Sequence, residues 1–122
     1  ALPISARQLL DAGTSLAIAS DWNPGSAPMG NLLAQAAILG VAERLSMAEV
    51  WAALTYRAAA ALGINNQGVL KKDMQADFIA YKTNDYREIL YRQGAMRPHY
   101  VFTANQLHPC DLLQGLFEYN NI

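Results

Sequence analysis

Cysteine is almost absent from this sequence. Cys110 is the only one in 122 residues, which excludes an internal disulfide framework. Lysine and arginine are few and nowhere clustered, so no phosphate-binding surface for nucleic acid is expected. No apolar run approaches the ~20 residues of a membrane-spanning helix. The N-terminus carries no basic segment, apolar core or cleavage site, so no signal peptide is expected either. Together these absences predict a cytoplasmic protein without a nucleic-acid or membrane partner.

Charge is also scarce. Charged residues make up 16% of the chain and apolar residues 52%, against about a quarter charged in ordinary soluble domains. A small domain has a high surface-to-volume ratio and normally needs more charge, not less. The deficit predicts that apolar surface is covered by something else, either an oligomer partner or a missing part of the same fold. An ordinary alanine-rich helical domain is the alternative.

What is present reads as helix, strand, helix, helix and then small strands. Pro3 to Ala12 predicts a short helix, with Gly13 as its stop. "SLAIA" (residues 15–19) follows as a short apolar strand of the kind buried on both faces. Apolar residues from Met29 to Leu45 recur at helical spacing. Ser46 and Glu49 form a capping box for a helix from Met47 to Leu62, ended by Gly63. Beyond that, "GVL", "ADFIAY" and "HYVFTA" are strand candidates, and "DYREILYRQG" is a short amphipathic turn or helix. The tail "HPCDLLQGLFEYNNI" predicts one more helix starting at Pro109.

The segment "SDWNPGSAP" joins the first strand to the next helix. Asp21 is a hard carboxylate there, suited to a metal or to general-base work. Asn23 offers a donor and an acceptor, and Gly25 lets backbone come close to a ligand. Ser26 adds a hydroxyl near a helix start, where an anion is favoured. The same residues are ordinary turn formers, and Ser26 can equally be a helix cap. In open sheets and barrels, sites sit at the C-terminal ends of strands, which is where Asp21 falls.

"LLDAGTSLAIASDWNPGSAP", "LSMAEVWAALTYRAAAALGI" and "GVLKKDMQADFIAY" together resemble the C-terminal part of an amidohydrolase. Within that superfamily the Asp-x-Asn-Pro-Gly-Ser loop is similar to that of the imidazolonepropionases. The resemblance covers roughly Pro3 to Phe102. It implies an α/β fold: the terminal βα portion of a metal-dependent (β/α)8 barrel hydrolase plus short strands of a small β domain. Residues 1–63 would be the barrel portion, 64–104 the return to the small β domain, and 105–122 a tail. The missing strands would account for the charge deficit.

The resemblance also implies roles. Asp21 matches a metal-ligand aspartate that handles the proton of the attacking water. Asn23 and Gly25 match positions that hold the product N-formimidoyl-L-glutamate, and Ser26 one that contacts the substrate 4-imidazolone-5-propanoate. The reaction would be hydrolysis of that cyclic amide, a step of histidine degradation. Zinc or iron would lower the pKa of water and polarise the carbonyl. The expected partners are this small-molecule substrate, a missing N-terminal barrel portion bearing the histidine ligands, and a second copy in a homo-oligomer. Alone, the chain is expected to be inactive and to associate through open strand edges.

The chain departs from the family pattern in places. No His-x-His pair precedes Asp21. The family's "G-K-x-A-D" turn reads "KDMQAD" here, with Asp73 where glycine is common. The segment from Thr103 onward does not follow the expected closing strand. His99 and His108 read as edge or surface histidines and Cys110 as a small apolar residue. Tyr81, Tyr86, Tyr91 and Tyr100 read as aromatic packing. The alternatives to an enzyme segment are an inactive orphan fragment or interaction module, and part of another amidohydrolase such as a deaminase or dipeptidase.

Overall fold

The computed structural model describes residues 5–25 and 30–110. Helix α1 spans Ala6–Asp11, α2 Leu32–Ala42, α3 Met47–Leu54 and α4 Tyr56–Ala61. Strand β1 (Phe78–Ala80), helix α5 (Arg87–Tyr91) and strands β2 (Tyr100–Thr103) and β3 (Gln106–Pro109) follow. The strands form one antiparallel sheet in the order β1-β2-β3. Phe78 stands opposite Phe102, and their rings stack with centroids 5.1 Å apart.

The helix starts follow from local chemistry. Ser46 Oγ accepts from the Glu49 amide at 3.3 Å, and the Glu49 carboxylate accepts from the Ser46 amide at 2.7 Å. This is the capping box expected for α3. The α2 cap is Asn31, whose Oδ1 accepts from the Ala34 amide at 3.1 Å. Ser26, also weighed as a helix cap, lies outside the described residues.

The helix stops share one device. After α1, Thr14 donates to Leu9 O and Gly13 to Leu10 O. After α4, Ile64 donates to Ala59 O and Gly63 to Ala60 O. Gly13 and Gly63 have φ of +83° and +72°, as this ending requires. Arg44 fills the same position after α2 with φ +53°.

The core is small and mixes alanine with branched aliphatic side chains. Ile18, Ala36, Val50, Ala53 and Leu90 are buried together, with Leu16, Leu33, Trp51 and Leu54 packed around them. Helices α2 and α3 approach closely because Gly40 faces Val50. A Cβ on Gly40 would lie 2.9 Å from Val50 Cγ2. Large apolar side chains remain outside, among them Val41, Leu62, Leu70 and Tyr91. Among the described residues no helix is long and apolar enough to cross a membrane.

Several expectations are corrected. The "SLAIA" segment is extended but, among the described residues, belongs to no ladder; a backbone bond runs from Ile18 N to Ala53 O at 3.1 Å. Leu16 and Ile18 face the helices, while Ala17 and Ala19 are exposed, so one face is covered and not two. A parallel strand needs strands beside it, and among the described residues β1, β2 and β3 form a sheet of their own. The helix expected over 47–62 breaks at Thr55, with φ −120° and ψ −102°. Thr55 Oγ1 donates to Trp51 O at 2.7 Å, a local bond that competes with the helical ladder. "GVL" is loop, with Val69 and Leu70 exposed. Pro109 ends a strand opposite Tyr100 and does not begin a helix. Residues 111–122 of the expected tail helix lie outside the described residues.

Candidate functional site

The loop after "SLAIA" is anchored from both ends. On one side Ile18 is fixed in the core and bonded to α3, three residues before Asp21. On the other, Gly30 and the Asn31 cap lead into α2. The Trp22 indole lies over Gly30: a Cβ there would come within 3.2 Å and 3.3 Å of two ring carbons. Gly30 also has φ +63°, so glycine satisfies both the contact and the backbone. Trp22 is otherwise 73% exposed.

Asp21 is exposed at the end of the extended segment, with φ +47°. Positive φ is uncommon outside glycine, though Asp tolerates it better than most. Asn23 is half-buried, and both ends of its carboxamide bond to the loop. Its Nδ2 donates to Asp21 O at 2.6 Å. Its Oδ1 accepts from the Gly25 amide at 2.9 Å. Gly25 is exposed, and a Cβ there would lie 3.3 Å from that Oδ1. The structure thus brings Asp21, Asn23 and Gly25 into one hydrogen-bonded turn.

The histidines stand elsewhere in the fold. His99 precedes β2, its ring edge-on to Tyr100 with centroids 4.3 Å apart. His108 is exposed on β3. Cys110 is half-buried and pairs with His99 through its amide, at 3.0 Å from His99 O. Burial, together with the nearby Cys110 thiol, pushes the Tyr81 phenol up. Among the described residues, no group of three or more His, Cys, Asp or Glu side chains could hold a metal ion. Asp21 offers one carboxylate ligand where a zinc site needs about four donors. The described donor set does not by itself fit a metal.

Two apolar grooves flank α2 and α3, the second reaching Gly30 and Asn31 at the end of the loop. One of about 1050 Å³ runs along α2 and α3 and includes Gly40, Val50 and Leu90. The other, about 1070 Å³, lies between Trp51, Leu54, Phe78 and Tyr86. Neither is lined by Asp21, Asn23 or Gly25.

The sequence reading missed the Trp22–Gly30 contact and the double engagement of Asn23. An Asn two residues before a glycine is a signal for the second, because such side chains bond to the backbone two residues on.

Residues 4–109 match the amidohydrolase family. An imidazolonepropionase of Deinococcus deserti is 38% identical over 101 residues, which is 80% of this chain and 25% of that protein. One from Deinococcus radiodurans is 39% identical over 101 residues, with the same coverage. One from Chloroflexus aggregans is 38% identical over 104 residues, 84% of this chain and 24% of that protein. The chain spans about a quarter of the length of these curated relatives. It belongs to the amidohydrolase family.

Proposed function

We propose that this amidohydrolase-family chain supplies the aspartate-bearing quarter of an imidazolonepropionase. The assembled enzyme hydrolyses the cyclic amide of 4-imidazolone-5-propanoate to N-formimidoyl-L-glutamate, in the cytoplasm, as part of histidine degradation. The chain then forms the last βα portion of a (β/α)8 barrel and part of a small β domain. Asp21 would hold a zinc or iron together with ligands from the part of the relatives' length that this sequence does not span, and the metal would activate water.

The observation that carries this reading is the Asp21–Gly25 turn. It sets an exposed carboxylate at the end of an extended segment, braced between the core and the start of α2. Its support is that the amidohydrolase match, residues 4–109, spans this turn, and that relatives named imidazolonepropionase match about 80% of the chain. In this reading Asp21 is a metal ligand and accepts a proton from the attacking water. Gly25 and Ser26 belong to the substrate side of the loop, and the Asn23 carboxamide holds its shape. Water attacks the ring carbonyl carbon, the ring C–N bond breaks, and the proton ends on the leaving nitrogen.

The test is a hybrid enzyme. The N-terminal three quarters of the Deinococcus radiodurans relative is joined to this chain, and loss of the imidazolone absorbance is followed. Metal-dependent turnover that disappears with Asp21→Asn is the expected result. A folded hybrid that retains metal yet shows no turnover overturns the proposal.

A further inference from the structure

We propose that Asn23 is a positioning residue for Asp21, holding its backbone in the left-handed conformation that aims the carboxylate away from the loop. The inference rests on reading Asp21 as the working carboxylate.

Asp21 has φ +47°, a conformation that costs a residue with a Cβ, though Asp less than most, so a bond that holds it there matters. The group that bonds to its carbonyl is the Asn23 carboxamide. Nδ2 donates to Asp21 O at 2.6 Å, and Oδ1 receives the Gly25 amide at 2.9 Å. The side chain therefore bridges the turn from its first residue to its last. The Asp21 carboxylate takes no part in either bond and remains exposed.

This role differs from product binding. A carboxamide has two donor hydrogens and an acceptor oxygen with two lone pairs. One of each is used inside the turn. A ligand drawing on the same groups would compete with the bonds that shape Asp21. Asn23 therefore acts on the reaction through Asp21.

Two variants test this. In the 122-residue chain, NMR reports the φ of Asp21 through the strong amide-to-Hα cross-peak of a left-handed residue. Asn23→Ala should abolish that signature and speed exchange of the Gly25 amide, while the Val50 and Leu90 methyl shifts stay in place. Asn23→Asp keeps an acceptor for Gly25 but sets an oxygen against Asp21 O. It should lose the Asp21 signature and keep the slow Gly25 amide. An Asp21 signature unchanged in both variants overturns the proposal.

Kinetics supply the second readout. In the hybrid enzyme, Asn23→Ala should lower kcat by about a hundredfold with KM nearly unchanged, as for a misplaced catalytic group. A rise in KM alone shows direct ligand contact and also overturns it. Should Asp21→Asn leave turnover intact, the proposed function fails, and the NMR result still decides what Asn23 does to the loop.

Discussion

Arg7 and Glu49 meet through two parallel hydrogen bonds, Nη1 to Oε2 and Nη2 to Oε1, each 3.0 Å long. The pair ties α1 to the start of α3. The same carboxylate closes the α3 capping box. These contacts, Arg7 first and the Ser46 amide next, lower the Glu49 carboxyl to about 2 from its ordinary 4.5. A depressed carboxylate stabilises the fold fully above its unfolded value and loses that contribution as pH falls through its folded one. The window is therefore pH 4.5 down to about 2. Urea titrations across that range should show wild type losing stability more steeply than Glu49→Gln. Equal slopes would show that the bidentate pair does not couple to folding. Both side chains are partly exposed, at 31% and 26%, so the contribution is a screened one.

Asn31 and Gly94 form a second contact between segments distant in sequence. Asn31 caps α2, and its carboxamide sits against the Gly94 backbone so closely that a Cβ on Gly94 would overlap it. Gly94 also has φ +80°. Asn31→Ala should cost about 1 kcal/mol through loss of the cap. Gly94→Ala should cost about 2 kcal/mol, because it displaces the cap and adds a left-handed penalty of about 1 kcal/mol. The double variant should cost no more than Gly94→Ala alone. Chemical denaturation of all four proteins measures this. Additive losses would show that the cap survives beside the added methyl group.

Arg44 holds the left-handed stop position of α2 without being glycine. Leu45 donates to Gly40 O at 2.8 Å and Arg44 to Val41 O at 3.3 Å, the same ending that Gly13 and Gly63 serve. Arg44 makes no ion pair among the described residues. Arg44→Gly should therefore raise stability by about 1 kcal/mol, by removing a Cβ from a conformation that disfavours it. A loss of stability in thermal or chemical denaturation would show that the arginine stem packs on the groove it borders.

What the sequence revealed of this fold followed the reach of each signal. The Ser46–Glu49 box, the Gly13 and Gly63 stops and strands β1 and β2 were legible, because each depends on neighbours within a few residues. The break at Thr55 was not, since a hydroxyl bonding to the carbonyl four residues back is one option among several for threonine. Strand β3 was missed because Pro109 reads as a helix start, whereas an edge strand also tolerates proline. Asp73, where the resembled family has glycine, has φ +69°, a left-handed conformation that glycine holds without penalty. At the candidate site, Asp21, Asn23 and Gly25 could be singled out. Their hydrogen bonding could not, because motif spacing names residues without saying whether their polar atoms face a ligand or each other.

Metal retention gives the last prediction. Asp21 provides a single carboxylate, and the described residues hold no group of three donors around it or elsewhere. One carboxylate binds zinc too weakly to survive dialysis, since tight sites close three or four ligands around the ion. The purified 122-residue chain, dialysed against chelator-treated buffer, should retain far less than one zinc or iron by elemental analysis. The hybrid enzyme should retain about one, and Asp21→Asn in that hybrid should reduce it. One tightly held ion on the chain alone would require a different ligand set. Loss of that ion in His99→Ala or His108→Ala would locate it on the sheet, and a dimer formed only with metal would place it between two copies. The first result would detach Asp21 from the metal and leave its left-handed turn to the Asn23 hydrogen bonds alone.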